Sequence, residues 1–170
     1  VSKLLTRREF LKNTFIQTTY KKWGYADEID FLNSCEARNH FILDMVMKNT
    51  QGNSLVLFSR IELHGDILLE LAEEKNKKYN TNLFYIHGKA KLRPDEAKKL
   101  IETSQERCIV LANVAMVKEG WSVNNLHFCY LASTIKNHKA LTQIVGRLLR
   151  KDGTDTKTAL YIIIDDLRHS

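Results

Sequence analysis

The sequence predicts a three-layer α/β domain in which a parallel sheet is covered on both faces by helices. Five short apolar runs recur, at Ser54–Phe58, Leu83–Ile86, Cys108–Leu111, Leu126–Leu131 and Ala159–Ile164. They are largely apolar instead of alternating, as strands buried on both faces are. Helical patterns separate most of them, which is the mark of βαβ units with right-handed crossovers. With 170 residues, the chain is long enough for one domain with a genuine core and an attached arm.

Residues 1–34 are expected to form an N-terminal helical arm or linker, and residues 35–170 the α/β domain. Leu4 to Trp23 is charged, with helical spacing in part, and Gly24 interrupts it. Asp27 to Asn33 is polar and aromatic. Ser34 has the chemistry of a helix N-cap, for a helix running to about Lys48 with Phe41, Met45, Ala37, Ile42 and Val46 supplying an apolar stripe. Asn49 to Asn53 reads as a turn. After the first run a helix is expected from about Ile61 to Tyr79. Pro94 stands where a first-turn proline belongs, opening a helix to about Thr103. A further helix is expected from about Asn137 to Leu149.

Composition excludes several classes. Apolar residues make up 44% and charged residues 27%, which a disordered tail or rod would not combine. No stretch approaches the roughly 18 uncharged apolar residues of a membrane span. Lys and Arg total 26 against 20 Asp and Glu, a net +6 that suits a polyanionic partner. Cys35, Cys108 and Cys129 lack CxxC spacing, so neither a disulfide framework nor a zinc site is expected. Buried thiols and the lack of a signal peptide fit a reducing cytoplasm, and the start at Val1 fits a piece of a longer protein.

In sheets of this kind ligands bind beyond the carboxyl ends of the strands. The residues there are Ser59 and Arg60 after the first run, and His87, Gly88 and Lys89 after the second. Ala112, Asn113 and then Glu119-Gly120-Trp121-Ser122 follow the third, and Ser133, Thr134 and Lys136 the fourth. Small, polar and basic groups on one rim suit a phosphate backbone. Singly, Ser59 reads equally as a helix cap, and Gly88 and Gly120 as turn glycines. Trp121 reads as a base-stacking group or as a buried anchor. His40, His64, His127, His138 and His169 lack ligand spacing and read as surface or satisfied polar residues.

The most specific segment is Gln143-Ile144-Val145-Gly146-Arg147-Leu148-Leu149-Arg150. At about 100° per residue, Arg147 lies about 40° to one side of Gln143 and Arg150 about 20° to the other. These three form one polar stripe, with Ile144, Val145 and Leu148 directed to the sheet. Gly146 costs the helix about 1 kcal/mol relative to Ala, which suits a place where something approaches closely. Two guanidiniums one turn apart can hold the oxygens of a phosphoryl group in transfer.

This segment resembles motif VI of the superfamily 2 helicases, Gln-x-x-Gly-Arg-x-x-Arg. ANVAMVKEGWS resembles their motif V, and NSLVLFSR their motif IV, in the same order along the chain. The wording of LVLFSRIELHG, EGWSVNNLH and GRLLRKDG is most similar to the phage UvsW-like DNA helicases. The resemblance covers about Cys35 to Asp166 and implies the second RecA-like domain of an ATP-dependent DNA helicase. It implies Arg150 as the arginine finger, with Arg147 on the phosphates and Gln143 positioning the attack. It places Gly120 and Ser122 on the ATP side, although many relatives have Asp at the latter position. Ser59, Arg60, His87, Gly88, Ala112 and Asn113 would follow the nucleic-acid backbone, with Lys136 beside them on the rim. The implied partners are DNA and the preceding RecA-like domain, and the implied cofactors ATP and Mg²⁺. The chain itself is expected to be a monomer.

No GxxxxGK[ST] loop and no acidic DEAD-type box occurs in the chain. Tyr161 to Asp166 looks like a Walker B strand, but it follows motif VI and reads as the closing strand. The chain is therefore expected to carry half of an ATPase site and to be inactive alone. Two other readings remain open from the residues: a basic DNA- or protein-binding module without nucleotide, and an unrelated nucleotide-binding α/β domain.

Overall fold

A computed structural model of the chain describes residues 24–133, 142–144, 146 and 159–163. Its elements are α1 (Tyr25–Ser34), α2 (Glu36–Lys48), β1 (Asn53–Phe58), a π-helical turn (Ile61–Gly65), α3 (Asp66–Tyr79), β2 (Asn82–Ile86), α4 (Pro94–Thr103), β3 (Cys108–Asn113), α5 (Val114–Lys118), β4 (Leu126–Leu131) and β5 (Ala159–Ile162). Residues 142–144 and 146 are also helical. The strands form one parallel sheet in the order β2-β3-β1-β4-β5. Each of the five apolar runs is a strand of it. The Leu4–Trp23 part of the expected arm, most of the Asn137–Leu149 helix and Ile164 to Asp166 lie outside the described residues.

The layers follow from the two-residue period of strands. Leu55 and Leu57 of β1, Cys108, Val110 and Ala112 of β3, and Cys129 and Leu131 of β4 line one face. Ala97 and Ile101 of α4, Val114 and Val117 at α5, Trp121 and Ile144 cover that face. Val56, Phe58, Ile109, Leu111 and Tyr130 line the other, under Ile42, Leu43, Val46 and Met47 of α2 and Leu68 and Ala72 of α3. The central β1 and β3 are buried at every residue, whereas the edge strand β2 is half-buried over most of its length. This is why β1 is apolar from Leu55 to Phe58 and β3 from Cys108 to Ala112, without alternation.

Two local expectations are corrected. Ser34 does not cap α2. Its hydroxyl instead donates to the carbonyls of Asp30 and Phe31, at 2.8 and 3.2 Å, closing α1. Cys35 is the N-cap, its Sγ accepting from the Arg38 amide at 3.4 Å. The Asp27–Asn33 stretch is helical, because the Asp27 carboxylate accepts the Gly24 amide at 3.0 Å and stabilises the helix start. The buried stripe of α2 is also displaced: Arg38, Asn39, Ile42, Leu43, Val46 and Met47 are buried while Phe41 is exposed. Cys35 is extended, at φ −67° and ψ 104°, so α1 and α2 are separate helices and the buried face of α2 is set anew.

The turn after β1 depends on Gly65. A Cβ there would stand 2.5 Å from the Phe58 ring and 2.6 Å from the Tyr85 hydroxyl. Those two rings stack at 5.5 Å, and Phe58 is fully buried. Gly65→Ala is expected to cost about 1–3 kcal/mol by overpacking. Denaturant unfolding measures it, and an unchanged midpoint would contradict the packing.

Candidate functional site

Because the strands are parallel, their carboxyl ends share one edge. At that edge β3, β1 and β4 are cross-linked by hydrogen bonds. The Asn113 side chain donates to the Ser59 carbonyl at 3.1 Å and accepts the Ala115 amide at 2.9 Å, so it ties β3 to β1 while capping α5. The Ser59 amide donates to the Ser133 hydroxyl at 2.9 Å, and the Ala132 amide to the Leu57 carbonyl at 3.0 Å. These bonds run on from the ladders and hold the rim as a continuous line.

Ser59 and Arg60 are exposed on this line. The Arg60 guanidinium lies 3.2 Å through Nε from Asp30 of α1. At the β2 end His87 is half-buried, its ring centre 4.7 Å from that of Tyr85, and its Nδ1 accepts the Lys89 amide at 3.3 Å. Gly88 is exposed, with open space around its Cα. Ala112 departs from expectation: it has no exposed surface and lies in the core between β1 and β2. A buried methyl offers nothing to a ligand, so Ala112 contributes packing and not a rim contact. Asn113 is 7% exposed, and its side-chain bonds go to protein partners.

The loop after α5 holds Gly120 at φ +112, where L side chains are strained and glycine is favoured. Trp121 is buried, and its indole N–H donates to the Pro94 carbonyl at 2.9 Å. It is therefore an anchor between this loop and α4, with no ring face left for a base. Ser122 beside it stays half-exposed. Ile144 is buried in the same core cluster as Trp121 and Val123, while Gln143 and Gly146 are exposed. The Gln143 helix and the Gly120 loop thus dock on one face of the sheet. Arg147, Arg150 and Lys136 lie outside the described residues.

A buried polar cluster lies under the rim, and in it His64 is a satisfied polar residue, one of the two readings open from the sequence, although its partners were not legible there. His64 has no exposed surface; its Nδ1 is 3.1 Å from the Ser133 Oγ and its Nε2 3.2 Å from the Asn39 Oδ1. Asn39 in turn donates to the Asn33 carbonyl at 2.8 Å. Arg38, also buried, donates to the Ala132 carbonyl at 2.8 Å. Burial, reinforced by the Arg38 charge, lowers the His64 pKa to about 3. The available signal was spacing: His64, Leu68 and Ala72 fall four apart and are all buried, so a polar ring occupies a core position.

The thiols carry no chemistry here. All three cysteines are buried, and burial pushes the Cys129 thiol up to about 12. Among the described residues there is no grouping of His, Cys, Asp or Glu that could hold a metal, and no helix is long and apolar enough to cross a membrane.

Comparison with known proteins agrees with this architecture. Residues 37–152 match the helicase conserved C-terminal domain. The chain is 27% identical over 150 residues to the ATP-dependent DNA helicase uvsW of Enterobacteria phage T4, covering 87% of this chain and 29% of that protein. The crystal structure of T4 UvsW superposes with a TM-score of 0.71 at 28% identity, over 86% of this chain and 29% of that one. The transcript termination protein A18 of Fowlpox virus (strain NVSL) is 21% identical over 153 residues, covering 88% of this chain and 32% of its own length. The chain thus spans about a third or less of the proteins it matches. The sheet, its cross-linked carboxyl edge and the matched span that includes the Gln143 helix agree: the chain belongs to the family of helicase conserved C-terminal domains.

Proposed function

We propose that this domain is the second motor domain of an ATP-dependent DNA helicase or translocase, acting in repair, recombination or branch migration. The observation that carries the reading is the span of the family match, residues 37–152, which contains the Gln143–Arg150 segment. In this reading Arg150 is the arginine finger, Arg147 contacts the phosphates and Gln143 positions the attack. Gly120 and Ser122 border the nucleotide on the domain side of the cleft. ATP and Mg²⁺ are held mainly by a P-loop domain that this sequence does not contain. The similarity to a DNA helicase of a phage supports DNA as the nucleic acid.

Ser59, Arg60, His87, Gly88 and Lys136 form the track in this reading, with the buried Asn113 side chain holding β3 to β1 behind it. Exposed hydroxyl, backbone and cationic groups grip phosphates, which fixes position without reading bases. ATP closes the cleft and hydrolysis reopens it, so the strand is ratcheted along the rim.

The test is DNA binding by the full chain across a salt series, read by fluorescence anisotropy. Weak binding with little sequence preference is expected. Arg60→Ala and Lys136→Ala should each weaken it and flatten the salt slope by about one unit. The chain alone with DNA and Mg-ATP should release no phosphate. Salt-independent binding, tight recognition of one sequence, or turnover by the chain alone would overturn the reading.

A further inference from the structure

The buried cluster under the rim points beyond core packing. Asn39 donates through Nδ2 to the Asn33 carbonyl, so its Oδ1 faces His64 Nε2 and can only accept. Nε2 must therefore carry the imidazole proton, and Nδ1 must accept. The Ser133 hydroxyl, already accepting the Ser59 amide, then donates to Nδ1. A single directed chain results: Ser59 amide to Ser133, Ser133 to His64, His64 to Asn39, Asn39 to the end of α1. One reversed member would leave a buried donor or acceptor unpaired.

The turn that holds His64 is also tied to the rim. The Gly65 amide donates to the Arg60 carbonyl at 2.9 Å, the bond that makes this turn π-helical. Such turns are frequent at functional sites. Leucine at position 64 would pack against the sheet without any of these constraints. The imidazole instead spends both nitrogens on a chain that begins at the rim.

We propose that His64 is a positioning residue of the nucleic-acid track, fixing the Ser133 hydroxyl and through it the Ser59–Arg60 segment, whose exposed side chains meet the phosphates. This rests on the reading of the rim as the track. His64 touches no nucleic acid; it acts through Ser133 alone. Without an acceptor at Nδ1 the Ser133 hydroxyl turns elsewhere, and Ser59 loses its fixed partner.

The experiment uses the full chain and a fluorescein-labelled dT20 strand, with anisotropy read well below each variant's unfolding temperature. Asparagine at 64 places an acceptor near the Nδ1 position, whereas glutamine places its amide near Nε2. His64→Gln and Ser133→Ala should each weaken binding about 3- to 10-fold, and His64→Asn should recover part of that loss. The double variant should bind no more weakly than either single one, because both break the same link. Affinity should thus follow the Ser133 link and not thermal stability. Ser133→Ala, the mildest change, keeps the test open if a His64 variant does not fold. If Ser133→Ala and the folded His64 variants bind as the wild type does while Arg60→Ala weakens binding, the positioning role is wrong and the track reading stands. If Arg60→Ala leaves affinity and salt slope unchanged, the track reading itself fails and takes this proposal with it.

Discussion

Arg150→Ala is expected to lower kcat for DNA-stimulated ATP hydrolysis by roughly 10³-fold or more, the size seen for arginine fingers. The assay needs the chain joined to the P-loop domain that the proposed function assigns to it. The cause is electrostatic. A guanidinium held in a closed, water-poor cleft stabilises charge spread over the γ-phosphoryl oxygens in the transition state, more than in the ground state. ATP affinity should therefore change only modestly. Arg150→Lys should rescue poorly, since an ammonium does not reproduce the planar fork. DNA affinity without nucleotide should hardly move, because the stripe is assigned to the cleft and not to the track. Near-normal ATPase combined with lost DNA binding would place the arginine pair on a nucleic-acid surface and defeat the assignment.

The second large effect is on acid stability and comes from His64. Unfolded, its imidazole titrates near the ordinary histidine value of 6.5; folded, burial and the Arg38 charge hold it at about 3. Below 6.5 the unfolded chain takes up the proton and the folded one does not. The stability associated with the neutral ring is therefore complete above pH 6.5 and is lost progressively as the pH falls towards 3. The loss is about 1.4 kcal/mol per pH unit within that window. Urea unfolding of wild type and His64→Gln between pH 6.5 and 4.5 isolates it, since most carboxylates stay ionised over much of that range. The wild type should lose stability more steeply, by one proton's worth of slope. Parallel pH profiles would show that the ring is protonated in the folded protein or exposed to water.

The strands were legible because burial on both faces leaves a sheet strand little choice of composition. Leu126–Leu131 has its observed ends, and Pro94 marks the first residue of α4. The Gln143 segment was legible because a helix repeats its face every turn, so Ile144 could be assigned to the core and Gln143 to the surface, as found. Helix ends were less so. Ser34 and Cys35 are adjacent candidates for one cap, and only the path of α1 decides between them.

Local periodicity and short motifs were enough for the layers, the family and the segments that face the carboxyl edge. Tertiary structure alone decided the strand order, the burial of Ala112, the anchoring of Trp121, the pairing of Arg60 with Asp30, and the partners of His64. His64 and Ser133 are 69 residues apart in sequence. Whether a polar group is paired, and by what, depends on which distant segments meet it once the sheet has assembled. No local pattern carries that information. A histidine on an apolar face reads alike whether its nitrogens find nothing or find a serine and an asparagine.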